Sequence, residues 1–129
     1  MRYRLQMNQI CLGIDIIEIE RIRQALSVWG DRFLKRVFTI NESELYGRHL
    51  QSLAARFAGK EAVFKALSKP GMFFSWQDVE ILSSEDGRPR LRLFGEALKR
   101  VDELKLKSLQ ISLSHSRENA IAVVVGFAE

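Results

Sequence analysis

The sequence is poor in cysteine and has no long apolar run. Cys11 is the one cysteine in 129 residues, so no disulfide can form within the chain. No stretch reaches the roughly 18 apolar residues of a membrane-spanning helix, and the opening residues, MRYRLQ, lack the apolar core of a secretion signal. These absences argue against a disulfide-stapled or membrane-spanning protein and predict a cytoplasmic one.

The excess of positive charge is also modest. The formal charge is +4, from 20 Lys and Arg against 16 Asp and Glu. No dense basic run suggests nucleic acid, but several cations gather in the first third of the chain: Arg21, Arg23, Arg32, Lys35 and Arg36. Such a patch suits an acidic protein partner, although a solvated helical face is the alternative. The length predicts a single domain, residues 1–129, with 47% hydrophobic residues for a core.

A charged pair interrupts an otherwise apolar helical pattern in residues 53–67. One stripe of this helix is formed by apolar residues at helical spacing: Leu53, Phe57, Phe64 and Leu67. Lys60 and Glu61 fall on either side of this stripe, at the edge of the buried face. An ionised carboxylate there is costly unless it is paired or binds a metal. Glu61 therefore reaches water, pairs with a neighbouring cation, or belongs to a site.

A second carboxylate stands in an equally unusual place. Residues 9–16 read as a strand in which Cys11, Gly13 and Asp15 share one face, opposite four alternating apolar residues: Ile10, Leu12, Ile14 and Ile16. Gly13 allows a backbone or ligand to approach beside Asp15. Asp15 either caps the following helix or joins Glu61 around one Mg²⁺, an ion often held by one or two carboxylates plus substrate phosphates. The nearby cations, Arg56, Lys60 and Lys65, would then face the phosphates.

These residues carry a resemblance to a known family. The segments Gly13-Ile-Asp-Ile16 and Arg56-Phe-Ala-Gly-Lys-Glu-Ala-Val-Phe-Lys-Ala-Leu67 closely resemble the two motifs of the holo-[acyl-carrier-protein] synthases. Further similar segments follow in the family's order: residues 76–81, 86–89, 112–116 and 120–123. Gly59 departs from the alanine common in the family, which removes a Cβ beside the site, and the loop Ser68-Lys-Pro-Gly71 also differs.

The resemblance implies an enzyme and assigns roles. The family transfers the 4′-phosphopantetheine arm of coenzyme A to a serine of an apo acyl carrier protein, releasing adenosine 3′,5′-bisphosphate. By this resemblance Asp15 and Glu61 are the Mg²⁺ ligands, and Lys65 lies close to the transferred phosphate. Glu61 is also a candidate acceptor of the serine proton. The implied nucleotide contacts are Arg56, His115, Gly87 and Pro89, and the implied carrier contacts are Arg21 and Arg32.

The resemblance also implies an α+β fold, the 4′-phosphopantetheinyl transferase fold. A small, mainly antiparallel sheet packs on a long helix, and the chain assembles as a homotrimer with its sites at subunit interfaces. Residues 1–8 precede the usual start and are expected to form an extension. Whether the carrier serves fatty-acid or polyketide synthesis stays open. Two other functions remain: a Mg²⁺-dependent hydrolase of a nucleotide diphosphate, and a non-catalytic module that binds acidic proteins.

Periodicity predicts the remaining elements. Helices are expected at 18–29 and 32–37, and a further helix start is predicted at Asn41, which can act as a cap with Glu44 three positions on. The long helix that contains residues 53–67 is expected to end at about Ser68. A last helix is expected at 96–104, with four residues facing inward: Ala97, Leu98, Val101 and Leu104. Strands are expected at 76–83, 89–94, 108–114 and 119–127, the first two joined by a turn at Ser84–Gly87. The last strand is apolar on both faces, which predicts cover on both sides.

Overall fold

The structure is a computed structural model that describes residues 10–128, so the expected extension at residues 1–8 lies outside the described residues. It has five α-helices, a short 3-10 helix at Trp76–Asp78 and five strands within that range. In chain order the elements are β1 Ile10–Glu18, α1 Ile19–Trp29, α2 Asp31–Val37, α3 Ile40–Tyr46, α4 Leu50–Leu67, β2 Val79–Ser83, β3 Pro89–Leu93, α5 Gly95–Glu103, β4 Ser108–His115 and β5 Asn119–Phe127. The predicted mixed fold of small antiparallel sheets is confirmed.

Two antiparallel sheets organise these elements. One has three strands in the order β1-β5-β4, and the other is the β2-β3 hairpin. The hairpin closes as predicted, because the Gly87 amide donates to the Ser84 carbonyl at 2.9 Å and Gly87 adopts a φ of 85°. Helix α4 packs across one face of the three-stranded sheet, and its fully buried residues, such as Leu53 and Val63, form the centre of the core.

Helix α4 and strand β1 approach unusually closely at Gly13. A Cβ built on Gly13 would lie 1.9 Å from the Ala62 carbonyl oxygen and 3.0 Å from the Ala66 amide nitrogen. Because this gap excludes any side chain, the absence of a Cβ lets the strand touch the helix backbone. Asp15, two residues further along the same face of β1, is thereby brought to the side of α4.

The opposite face of the three-stranded sheet is apolar and uncovered in the described chain. Alternation puts the Ile10–Ile16 series on this face as predicted, and Leu12 and Ile16 are 67% and 63% exposed. On β5, Val123 and Phe127, the cross-strand partners of Ile14 and Ile10, are also exposed. Within one chain α4 covers only one face of β5, so the expected cover on both sides stays a prediction that requires a neighbouring subunit.

Three local expectations are corrected. Thr39, not Asn41, caps α3, and Glu42, not Glu44, completes the capping box by accepting from the Thr39 amide at 2.9 Å. Leu98 points outward and is 47% exposed, whereas Ala97 is buried. Gly59 faces the core instead of the site, since its Cβ would lie 2.5 Å from Ile81 Cδ1.

Among residues 10–128, the structure has no helix that combines the length and the apolar character needed to cross a membrane.

Candidate active site

Asp15 and Glu61 line one surface cavity of about 330 Å³, between β1, α1 and α4. Arg21 of α1 and two aromatic residues, Phe33 and Phe57, line the same cavity. The carboxylates come from two different elements, and the close contact at Gly13 sets how far apart those elements lie. The structure thus brings the two acids to one place, as the sequence predicts.

The Asp15 carboxylate is held from α4. Lys65 Nζ donates to Asp15 Oδ1 at 2.9 Å and to the Ile14 carbonyl at 3.1 Å. The Lys65 side chain is 55% exposed, whereas that of Asp15 is 16% exposed. Asp15 does not cap α1, because β1 continues to Glu18 and that residue occupies the N-cap position without a side-chain bond. The helix-capping alternative for Asp15 is therefore excluded.

Glu61 stands in a partly buried place and has no direct partner. Within the described part of the chain it makes no side-chain hydrogen bond or ion pair. Burial raises the pKa of its carboxyl group, and the nearby charge of Asp15 raises this pKa further, while Lys65 opposes the shift. The two carboxylates repel each other, and a cation bound between them would relieve this repulsion.

This pair of acids fits a sparse Mg²⁺ site. No cluster of three or more potential protein ligands occurs among residues 10–128, so a site that depends on protein ligands alone is not favoured. Mg²⁺ commonly takes one or two carboxylates and completes its shell with waters and substrate phosphates. Asp15 and Glu61 are the residues that would hold such an ion.

The placement of Lys60 contradicts the expectation that it faces a phosphate. Its side chain is fully buried, and its Nζ pairs with Glu42 Oε1 at 2.8 Å. The same ammonium donates to the carbonyls of Trp76 and Val79, so all three of its donors are used inside the protein. Burial lowers the pKa of Lys60, and the charge of Glu42 opposes this shift. Lys60 is thus a buried structural cation.

Arg56 is similarly engaged within the chain. Only 5% of the residue is exposed, and its guanidinium donates to the Ile81 carbonyl at 2.9 Å and to Ser83 Oγ at 3.0 Å. The guanidinium also stacks over the Tyr46 ring, with Cζ 3.5 Å from the ring centroid. Together with Lys60, Arg56 fastens α4 to the backbone of β2. Its contact with a nucleotide stays a prediction.

Two buried carboxylates of this region were not predicted from the sequence: Glu42, which pairs with Lys60, and Glu80. Glu42 also accepts from the Ile81 amide at 2.8 Å, and Glu80 accepts from Thr39 Oγ1 at 2.6 Å and from Asn41. The Glu80 residue is 3% exposed, and its second oxygen lies 3.9 Å from Arg92. The Thr39-x-x-Glu42 spacing was an available signal for the cap, but nothing in the spacing marked Glu42 as the partner of Lys60.

The predicted carrier contacts lie beside the acids. Arg21 is exposed in the cavity of Asp15 and Glu61, and Arg32 is exposed in an adjoining cavity of about 640 Å³. The two cavities share Phe33 and Phe57. Arg36 and two tryptophans, Trp29 and Trp76, complete the lining of the second cavity. Basic groups therefore surround an aromatic surface next to the carboxylates.

The predicted nucleotide contacts are not brought to this cavity. Pro89 lines a separate cavity of about 480 Å³, flanked by Arg88 and Arg90, that shares no residue with the cavity of Asp15. Gly87 is exposed at the tip of the β2-β3 turn. His115 ends β4, two strand spacings or about 10 Å from β1. A single chain thus carries two separated groups of predicted contacts.

Comparison with known proteins identifies the family. The family model described as the 4′-phosphopantetheinyl transferase superfamily matches residues 11–124. A holo-[acyl-carrier-protein] synthase of Dehalococcoides mccartyi is 52% identical over 113 residues, which cover 88% of this chain and 94% of that protein. A holo-[acyl-carrier-protein] synthase of Herpetosiphon aurantiacus is 46% identical over 121 residues, covering 88% of this chain and 95% of that protein.

The fold of this chain is also similar to a solved structure of a holo-[acyl-carrier-protein] synthase. The Helicobacter pylori holo-[acyl-carrier-protein] synthase in complex with coenzyme A has a TM-score of 0.78 at 35% identity, covering 89% of this chain and 98% of that chain. The chain therefore belongs to the 4′-phosphopantetheinyl transferase superfamily, and within it to the holo-[acyl-carrier-protein] synthase family of enzymes.

Proposed function

We propose that this protein transfers the 4′-phosphopantetheine arm of coenzyme A to a serine of an apo acyl carrier protein in a Mg²⁺-dependent reaction. The products are holo carrier and adenosine 3′,5′-bisphosphate. The observation that carries the proposal is the convergence of Asp15 and Glu61 on one cavity in a chain of this family. Relatives named for the carrier protein, and one solved with coenzyme A, support the two substrates.

The chain's own residues supply positioning and charge, because the nucleophile is the serine hydroxyl of the carrier. A Mg²⁺ ion held by Asp15 and Glu61 would neutralise negative charge on the diphosphate of coenzyme A. Lys65, half exposed beside Asp15, donates to the transferred phosphoryl group or its leaving partner. Glu61 accepts the serine proton, directly or through a water.

Docking of the carrier follows from the neighbouring surface. Arg21 and Arg32 flank the aromatic cavities beside the acids, so an acidic helix bound there would present its serine to Asp15 and Glu61. Association of this kind is electrostatic and weakens with salt. Added salt should therefore raise the KM for the carrier well before it changes the KM for coenzyme A, and Arg32→Gln should flatten that dependence.

The proposal extends to a homotrimer. The uncovered face of β1 and β5 presents contiguous apolar side chains, including Leu12 and Ile16, and such a face marks an interface. A neighbouring subunit would also explain why Gly87, Pro89 and His115 lie apart from Asp15 in one chain. The number three rests on the resemblance to the family. Sedimentation equilibrium tests it, and Leu12→Glu should dissociate the assembly.

One assay tests the activity. The protein is incubated with coenzyme A, Mg²⁺ and apo carrier, and the intact mass of the carrier is measured. A gain of one phosphopantetheine arm, lost with a chelator and restored by Mg²⁺, is the expected result. Cleavage of coenzyme A without carrier would instead identify a hydrolase, and carrier binding without any mass change would identify a binding module.

A further inference from the structure

The Asp15 carboxylate has a cation of the protein's own. Lys65 Nζ lies 2.9 Å from Asp15 Oδ1, and the same ammonium is fixed by the Ile14 carbonyl at 3.1 Å. These contacts use two of the three ammonium donors. Lys65 therefore occupies one of the two carboxylate oxygens that a metal ligated by Asp15 could use.

The two partners differ in their freedom to move. Asp15 belongs to β1, where it pairs with Ala122 of β5, and its side chain is largely buried. The Lys65 side chain is more than half exposed and can turn into water without unpacking the core. A single ion pair with such an exposed partner is held weakly. Replacement of the ammonium by a metal ion at Asp15 would therefore move Lys65 and leave Asp15 in place.

We propose that Lys65 is a resident counter-ion of Asp15, which a divalent cation must displace, and that the displaced ammonium is the group that then meets the diphosphate. This inference rests on the proposed Mg²⁺ site. A divalent cation and an ammonium bound to the two oxygens of one carboxylate still lie close enough to repel each other strongly. Lys65 thus couples metal binding to phosphate binding, because its release from Asp15 leaves the ammonium available to contact the diphosphate.

The same cavity offers a matched control. Arg21 lines the cavity with Asp15 and Glu61 and carries the same charge, but it forms no ion pair with either acid within the described part of the chain. Removing Arg21 changes the net charge of the cavity as much as removing Lys65 does. A larger effect from Lys65 must therefore come from its direct contact with Asp15.

The test is Mn²⁺ binding, measured by electron paramagnetic resonance on the full chain without coenzyme A. Lys65→Met should tighten Mn²⁺ binding by about two- to fivefold, the range for loss of an exposed ion pair, and Arg21→Met by clearly less. Lys65→Met should at the same time lower kcat. Thermal unfolding of each variant confirms that the fold is kept.

The outcomes separate this inference from the proposed function. Equal effects of Lys65→Met and Arg21→Met, or no gain of affinity in Lys65→Met, would overturn the counter-ion role while the metal site stands. If wild type binds Mn²⁺ only with coenzyme A, Lys65→Met must gain binding without it, or the inference is wrong. Absence of Mn²⁺ binding in every variant, even with coenzyme A, would overturn the metal site itself.

Discussion

Helix α4 carries two lysine–carboxylate pairs of almost equal length in opposite surroundings. Lys60 lies 2.8 Å from Glu42 with both side chains fully buried, and Lys65 lies 2.9 Å from Asp15 with the side chains 55% and 16% exposed. One pair is enclosed in the protein, where its ammonium also donates to two backbone carbonyls, and the acid of the other pair lines a cavity. Two lysines of one motif thus differ in surroundings: Lys60 is a buried structural charge, whereas Lys65 stays accessible, as its proposed role requires.

The same comparison extends to what each pair does for the helix. The Lys60 pair fastens α4 to α3 and β2 and so fixes its rotation about its own axis. Glu61, the next residue, is thereby turned toward Asp15. The Lys65 pair contributes little to packing, but its members are free to meet ligands. Each prediction below either breaks one pair and spares the other, or measures how the two are linked.

The largest expected effect comes from the exposed side of the comparison. Asp15→Asn removes a predicted metal ligand, and transfer of phosphopantetheine should fall by about 10²–10³-fold, as for loss of a group that stabilises transition-state charge. The melting temperature should change little. Glu42→Gln is the matched variant, expected to lose stability but to keep its turnover per folded molecule. Near-normal turnover in Asp15→Asn would remove this residue from the site.

Breaking the buried Lys60–Glu42 pair should show the reverse pattern, a large loss of stability. Lys60→Met leaves Glu42 buried without its cation, which should lower the free energy of unfolding by about 3–5 kcal/mol, measured by urea denaturation. Lys65→Met, on the same helix, should cost at most about 1 kcal/mol. The double variant Lys60→Met/Glu42→Gln should regain part of the loss. Equal costs for the two lysine variants would refute the division into structural and functional pairs.

A third prediction concerns the contact that links the pairs. In Gly13→Ala, the new Cβ meets the Ala62 carbonyl at 1.9 Å, so β1 and α4 must separate. We expect a loss of about 1–3 kcal/mol in unfolding free energy and a fall in kcat, since Asp15 moves away from Glu61. Gly126→Ala is the control, because there the nearest atom is a side-chain carbon of Leu109 at 3.0 Å. Equal effects of the two alanines would contradict this account.

The sequence predicted the acids better than it predicted the lysines. Period-two and helical patterns put Asp15 and Glu61 on facing surfaces, because alternation and helical spacing are local properties. The role of Lys60 depends on what covers its side of α4. That cover comes from Glu42 and from the carbonyls of Trp76 and Val79, and no local pattern shows that these distant segments meet at one ammonium.

The sheet shows the same limit in another form. The sequence pattern predicted that Leu12 and Ile16 lie on one face of β1. It could not predict whether that face is covered by this chain or by another subunit. Likewise, the spacing to Glu44 predicted a cap at Asn41, whereas Thr39, two residues earlier and with the same spacing to Glu42, caps α3. Local sequence patterns predicted the helices and strands, but tertiary packing determined which polar side chains are buried.

The smallest expected effect is a pH dependence that belongs to Glu61. Burial and the charge of Asp15 raise the pKa of Glu61 in the folded protein, so above the ordinary glutamate pKa the folded state binds more protons than the unfolded state. The free energy of unfolding should therefore fall as pH rises through that interval, and the loss is complete above the raised pKa. Ionised Glu61 is needed to hold a metal, so metal-dependent transfer should also rise with pH, and bound metal should shift this rise to lower pH than the change in stability.

Urea denaturation without divalent metal, from about pH 4 to about pH 8, checks the sign. Glu61→Gln should be more stable than wild type at the upper end and should lack this part of the slope, because its side chain has no charge to develop beside Asp15. Glu44→Gln, an exposed glutamate of α3, serves as the control. A Glu61→Gln variant less stable than wild type at high pH would mean that Lys65 outweighs burial and Asp15. In that case the exposed pair on α4 would already include Glu61, and the contrast with the closed Lys60 pair would be weaker than the structure indicates.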